Sequence, residues 1–99
     1  MYKEIDTYDL INIMNKKEIN LVDIRDSYKF SLGTIKNAKN IPVNFLLTNP
    51  DDYLNDDEEY YIFCNFGSTS RQICEILTKK GYKVINIAGG YTSYLEDSK

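Results

Sequence analysis

Apolar residues at Leu10, Ile11 and Met14, with polar positions between them, have the spacing of a short amphipathic helix. Thr7 is placed to cap its N-terminus, and Lys16 and Lys17 to form a cationic last turn that ends before Asn20. Residues 20–24, Asn-Leu-Val-Asp-Ile, are short, apolar and β-branched, the pattern of a strand covered on both faces. Asp26 can then cap a short helix running to about Leu32 and closed by Gly33. Residues 35–43 look extended, with Ile41 held in β or polyproline geometry by Pro42. The strongest central-strand pattern is 60–63, Tyr-Tyr-Ile-Phe, which runs straight into Cys64. A helix is predicted over 70–80 from Ile73, Ile76 and Leu77, with Gly81 as its stop. A strand follows at 83–87, then a turn at Ala88-Gly89-Gly90 into a final helix near 91–95.

Strands that alternate with helices describe an open α/β chain with a mostly parallel sheet. With 99 residues there is room for one core, so 1–99 is expected to be a single domain. The acidic stretch 51–59 reads as a solvated loop or ragged turn. Net charge is −3 and no basic block is present, which argues against nucleic acid or an anionic membrane as partner and favours a small soluble ligand or a protein. The first residues form no apolar leader and no window approaches a membrane span, so a cytoplasmic protein is expected. Histidine is absent, which excludes a Cys-His dyad, a Ser-His-Asp triad and any histidine metal site within the chain.

Two cysteines are too few for a disulfide scaffold and must be judged one by one. Cys74 sits beside Ile73 and Leu77 inside a helix pattern and reads as core packing. Cys64 stands between a strand and a polar loop, Asn65-Phe66-Gly67-Ser68-Thr69-Ser70-Arg71, that leads into a helix. The carboxyl end of a strand is where an open α/β sheet places its ligand crevice. The unpaired N–H groups and positive dipole end of a helix favour a thiolate there, which makes Cys64 the candidate nucleophile. Gly67 supplies backbone freedom, Ser68, Thr69 and Ser70 supply hydroxyl donors, and together they outline an anion cradle around a sulfur. Arg71 is placed either to attract an anionic donor or to be a plain solvated charge. Arg25 is placed to pair with Asp23, Asp26 or a later loop, or else to line the crevice.

Four blocks carry a family resemblance. Leu21-Val22-Asp23-Ile24-Arg25 is one; Phe30, Gly33, Ile35, Ala38, Asn40, Ile41 and Pro42 are the second; Cys64-x-x-Gly67-x-x-Ser70 is the third; Gly81-Tyr82 with Ala88-Gly89-Gly90-Tyr91 is the fourth. In this order they resemble the rhodanese-like domain over nearly the whole chain. The chain departs from the family at Thr34, where His is usual, at Asn37, where Gly is frequent, and at Asn65 and Thr69, where many members carry Arg. The loop is correspondingly less positive.

The resemblance implies an α/β fold of about five mostly parallel strands with helices on both faces. It also implies a sulfurtransferase mechanism: Cys64 takes a sulfane sulfur from a small donor such as thiosulfate or a persulfide and holds it as a persulfide. A thiol, a thioredoxin-like dithiol or cyanide then removes it. The loop from Asn65 to Arg71, with Arg25, would bind the donor, and no cofactor or metal is needed. Monomer is the default expectation. A phosphatase or arsenate reductase on the same fold is the rival reading, but those loops run Cys-x5-Arg whereas Cys64 and Arg71 are separated by six residues. One residue turns a helical side chain by about 100°. A further alternative is an interaction module in which Cys64 is idle or redox-sensing.

Overall fold

The chain builds outward from its central strand. In a computed structural model describing residues 2–99, five parallel strands form one sheet: β1 (Lys3–Ile5), β2 (Asn20–Asp23), β3 (Lys39–Asn40), β4 (Glu59–Phe63) and β5 (Lys83–Ile87). Their order is β1-β5-β4-β2-β3, so β4 is flanked by β5 and β2. Tyr60, Tyr61, Ile62 and Phe63 are all buried, because β4 is covered on both faces and alternate side chains enter two separate cores. One core joins Tyr60, Ile62 and Val84 to Leu46 of α3 (Val43–Thr48) and to Ile73, Cys74 and Leu77 of α4 (Ser68–Lys79). The other joins Tyr61, Phe63, Ile85 and Ile87 to Leu10 of α1 (Thr7–Met14) and to Tyr91 and Tyr94 of α5 (Gly90–Asp97). The remaining helix, α2 (Ser27–Leu32), buries no residue and is held by its ends. The α/β sheet expected from the alternation of elements is therefore present, with every strand pair parallel.

Three local expectations are corrected. The N-cap of α1 is Asp6, whose carboxylate accepts from Asp9 N–H; Thr7 is buried and its hydroxyl donates to Asp97 of α5. The helix stops at Met14, so Lys16 and Lys17 lie beyond it. Strand β1 carried no readable pattern: it is three residues of edge strand, recruited by β5 through parallel pairing. The extended stretch expected over 35–43 is a strand only at Lys39–Asn40, and it is followed by α3, six residues in which only Leu46 is buried, too short to show a helical period. The acidic stretch is pinned at both ends. Pro50–Asp52 form a 3-10 turn whose Asp51 accepts the Tyr82 hydroxyl, and Glu59 already belongs to β4.

Asn37 sits at φ 68°, a left-handed backbone that Asn tolerates better than most residues, so it performs the turn that glycine would otherwise serve. Among the described residues, no helix is long and apolar enough to cross a membrane.

Candidate active site

Cys64 follows the last residue of β4 and lies buried at the carboxyl edge of the sheet, between α4 and the N-terminus of α5. The amide N–H groups of Gly67 and Ser70 donate to its sulfur at 3.2 and 3.3 Å, and the thiol lies 3.4 Å from the Ser70 hydroxyl. The helix begins at Ser68 rather than near Ser70, with Gly67 as N-cap and no side-chain cap. Ser70 is thus the third helical residue, whose N–H an N-cap side chain would ordinarily satisfy. Here the Cys64 sulfur is that acceptor. The hydroxyl-rich run Ser68-Thr69-Ser70 resembles a loop in sequence, but its backbone is the first turn of α4, so its N–H groups converge where the helix dipole favours negative charge.

Burial pushes the Cys64 thiol up. Hydrogen bonds from the Ser70 hydroxyl and from the N–H groups of Ser70, Gly67 and Phe66 act against it and hold the thiol, in balance, below the ordinary cysteine range. Cys74 behaves oppositely. It is fully buried on α4, and burial, reinforced by negative charge at Cys64 and Glu4, pushes its thiol up to about 12. Alkylation of Cys64 by iodoacetamide should therefore have its pH midpoint below that of free cysteine, near 8.5, and Cys74 should stay unmodified at neutral pH. Peptide mapping of the adduct reads the result, and labelling of Cys74 first would reverse the assignment.

Two glycines let the backbone close over the sulfur. Gly67 has φ 96°, and a Cβ there would meet the Gly89 nitrogen at 2.7 Å. A Cβ on Gly90 would collide with the Cys64 carbonyl, because the first N–H groups of α5 are docked on the loop: Tyr91 N–H donates to Cys64 O at 2.9 Å and Thr92 N–H to Asn65 O at 3.0 Å. The loop is thus clamped between the N-termini of α4 and α5.

Above the sulfur is a cleft of about 220 Å3 lined by Ile24, Arg25, Asp26, Lys29, Cys64, Asn65, Phe66, Ser68 and Thr69. A water molecule occupies about 30 Å3 in the liquid, so the cleft suits a donor of a few heavy atoms, and it has room for a tetrahedral anion. Phe66 is exposed at its rim. Lys29 of α2 and Asp26, its N-cap, were not foreseen as lining residues. Nothing in a six-residue helix with no buried side chain marks them in sequence.

Arg25 is buried and paired with Asp23: its Nε lies 3.0 Å from Asp23 Oδ1 and a terminal nitrogen 2.7 Å from Oδ2. The same guanidinium donates to Gly33 O at 2.6 Å and to Asn65 Oδ1 at 3.3 Å, and lies over the Tyr91 ring at 4.4 Å. Asp23 also accepts from the Thr34 hydroxyl, and Asn40 donates to both Asp23 O and Arg25 O. Of the alternatives open for Arg25, the geometry selects Asp23 as partner, and Arg25 also lines the cleft. The side chain of Asn65 is turned to Arg25. Arg71 is exposed on the first turn of α4 and is not among the lining residues.

The rhodanese-like domain model matches residues 6–97. The chain belongs to the rhodanese-like family. Its relatives include a Bacillus subtilis protein, YtwF, whose name assigns it provisionally to the sulfurtransferases; it is 30% identical over 98% of this chain and 94% of its own length. A tRNA uridine(34) hydroxylase of Prochlorococcus marinus is 32% identical over 94% of this chain, which spans only 33% of that protein. The crystal structure of a rhodanese-like domain protein from Staphylococcus aureus superposes with a TM-score of 0.83 at 32% identity, covering 93% of this chain and 90% of that one. Membership accounts for the four sequence blocks. Asp23, Arg25 and Asn40 tie β2 to β3 and to the cleft, and the glycines of the third and fourth blocks pack against each other beside the sulfur.

One residue that touches this arrangement escaped the sequence reading. Asn86 is a buried polar side chain among the apolar residues of strand β5, and its Oδ1 accepts the Ser70 hydroxyl. An amide inside the run Val84-Ile85-Asn86-Ile87 is the signal that could have revealed it.

Proposed function

We propose that the chain is a sulfurtransferase that carries sulfane sulfur on Cys64. The observation that supports this reading best is the cysteine sulfur held by Gly67 and Ser70 N–H groups at the floor of a small open cleft. In the first step the Cys64 thiolate attacks the sulfane sulfur of a donor. For thiosulfate, an S–S bond forms at Sγ, the donor S–S bond breaks, and sulfite leaves with the electron pair. In the second step an acceptor thiolate attacks the outer sulfur, becomes the persulfide, and returns Cys64 as thiolate. No electron is left over, so no oxidant or cofactor is required. The donors that favour the thiolate also favour the persulfide anion, which differs from it by one sulfur along the same axis. A reduced, cytoplasmic setting suits two free cysteines. A small donor and a thiol or thioredoxin-like acceptor suit the cleft, with the protein acting as a monomer.

The test is intact mass after brief exposure to thiosulfate or a low-molecular-weight persulfide and removal of the donor. The protein should gain one sulfur, lose it to cyanide or a dithiol, and gain it equally as the Cys74→Ala variant. Sulfur mapped to Cys74, or none retained, would end the reading.

Phosphoryl chemistry is set aside on the placement of Arg71, since the cleft is large enough for a tetrahedral anion but does not include this arginine. Arg71→Ala should slow uptake from anionic thiosulfate by about threefold or less at low salt, with the difference fading as the Debye length falls below about 8 Å. Uptake from an uncharged donor should be unchanged. Phosphatase turnover dependent on both Cys64 and Arg71 would favour the rival reading.

A further inference from the structure

Ser70 has one hydroxyl proton and more than one claim on it. Its oxygen lies 3.4 Å from Cys64 Sγ and also within hydrogen-bond distance of Gly67 O and of Asn86 Oδ1, the last being the shortest contact. Asn86 is in turn oriented from the other side: its Nδ2 donates to Glu4 Oε1 at 2.8 Å, which fixes Oδ1 toward Ser70. Ser70 and Asn86 are buried, and Glu4 stands at the surface on β1. The chain of donors therefore has a direction while Cys64 is a thiol: Sγ–H to Ser70 Oγ, Ser70 O–H to Asn86 Oδ1, with Asn86 itself held by Glu4.

A sulfur anion reverses the first link. Thiolate or persulfide can only accept, so Ser70 must turn its proton toward Sγ, and the Asn86 oxygen is left at a buried position without its donor. An unpaired buried acceptor is costly, on the same scale as the gain from a hydrogen bond to an anion.

We propose that Asn86, oriented by Glu4, is a positioning residue that draws the Ser70 proton away from Cys64 in the thiol state and yields it when sulfur becomes anionic. The pair thereby restrains ionisation of a sulfur that two amides and a helix N-terminus otherwise favour. This deepens the sulfurtransferase reading and rests on it for its purpose, but the device concerns the free cysteine and is measurable there. The titratable and charged groups that face this region are Glu4 on β1, Asp23 and Arg25 at the end of β2, Asp26 and Lys29 at the cleft, Cys74 on α4, whose thiol feels negative charge at Cys64, and Arg71 and Glu75 on α4, which together with Glu4 act on the Tyr2 hydroxyl. Of these groups, Glu4 is the one that accepts a hydrogen bond from Asn86.

The experiment is the pH dependence of Cys64 alkylation by iodoacetamide, read by mass, in wild type and four variants. Asn86→Leu keeps the volume and removes the acceptor, so the Cys64 midpoint should fall by about one pH unit, with a roughly tenfold faster reaction on the acid side. Glu4→Ala frees the amide to turn its Nδ2 toward Ser70 and should lower the midpoint by a smaller amount. Glu4→Gln retains an acceptor oxygen and should match wild type. Ser70→Ala should raise the midpoint.

An unchanged or raised midpoint in Asn86→Leu would overturn the proposal, since a merely structural asparagine predicts looser donors and a weaker acid. Equal shifts in Glu4→Ala and Glu4→Gln would overturn it as well, by showing that the charge of Glu4 acts and not its hydrogen bond. Should Asn86→Leu fail to fold, the two variants at exposed Glu4 still decide. Sulfur loading is measured on the same wild-type sample: absence of uptake would count against sulfur transfer, while the midpoints would still report on the proton switch.

Discussion

Arg25→Met is expected to lower the unfolding free energy by about 3 to 5 kcal/mol, the cost of removing one partner from a buried ion pair. Asp23 is fully buried, and without the guanidinium it keeps only the Arg25 backbone N–H at 2.9 Å and the Thr34 hydroxyl at 2.8 Å as donors. Small domains have about 5 to 15 kcal/mol in total, so the variant should lose a large share of its stability. Urea melts followed by circular dichroism measure it. The loss arises mainly from the stranded carboxylate, and the companion variant tests this: Asp23→Asn combined with Arg25→Met should be destabilised by less than the sum of the two single changes. Arg25→Lys should recover only part, because a lysine ammonium cannot serve Asp23, Gly33 O and Asn65 together while stacked on Tyr91. A loss below about 1 kcal/mol in Arg25→Met would show the pair to be incidental, in line with exposed ion pairs.

The second large effect belongs to Gly67. Two separate obstacles face a side chain there: the left-handed φ of 96°, and the Gly89 backbone nitrogen 2.7 Å from where Cβ would stand. Gly81 isolates the first of them, since its φ of 98° is nearly the same but nothing lies within 4 Å of its Cβ position. Gly81→Ala should therefore cost about 1 kcal/mol and leave sulfur uptake unchanged. Gly67→Ala must also push apart the N-termini of α4 and α5, and should slow uptake by tenfold or more. Gly67→Val adds a β-branched side chain in a conformation such residues resist, and should abolish measurable transfer and lower stability further. Uptake rates together with the Cys64 alkylation midpoint separate loss of fold from loss of the cradle. Full transfer in a folded Gly67→Val protein would mean that the Gly67 and Ser70 N–H groups do not hold the reacting sulfur.

These variants also mark how far the residues could be read in one dimension. The strand-cysteine-helix unit was legible because its signals are local: four apolar strand residues, a glycine that permits a turn, and apolar positions on one face of α4 ending at Gly81. The same holds for Asp26, whose carboxylate caps α2 by accepting from Lys29 N–H three residues on, and for Cys74, whose neighbours Ile73 and Leu77 announce a buried helix face.

The helix start was misplaced by two residues because Ser68 and Thr69 have a side-chain chemistry common to loops and first turns alike. What separates the two is that Cys64 sulfur takes the place of a capping side chain, a contact between residues 64 and 70. Strand β1 exists because β5 offers it a parallel edge, and α3 because Leu46 finds a place in the core beside β4.

The local pattern of the chain by itself determined the α/β alternation, the candidate nucleophile and the buried second cysteine, since each depends on residues within a turn or a strand of one another. Only the tertiary structure decided which charge Arg25 meets, which residues roof the cleft, and that Glu4, Asn86, Ser70 and Cys64 form one hydrogen-bonded line. That line joins two neighbouring parallel strands, the end of a third and a helix N-terminus. Parallel neighbours are brought together by crossovers of many residues, so the register that aligns positions 4 and 86 leaves no trace at short range in the sequence.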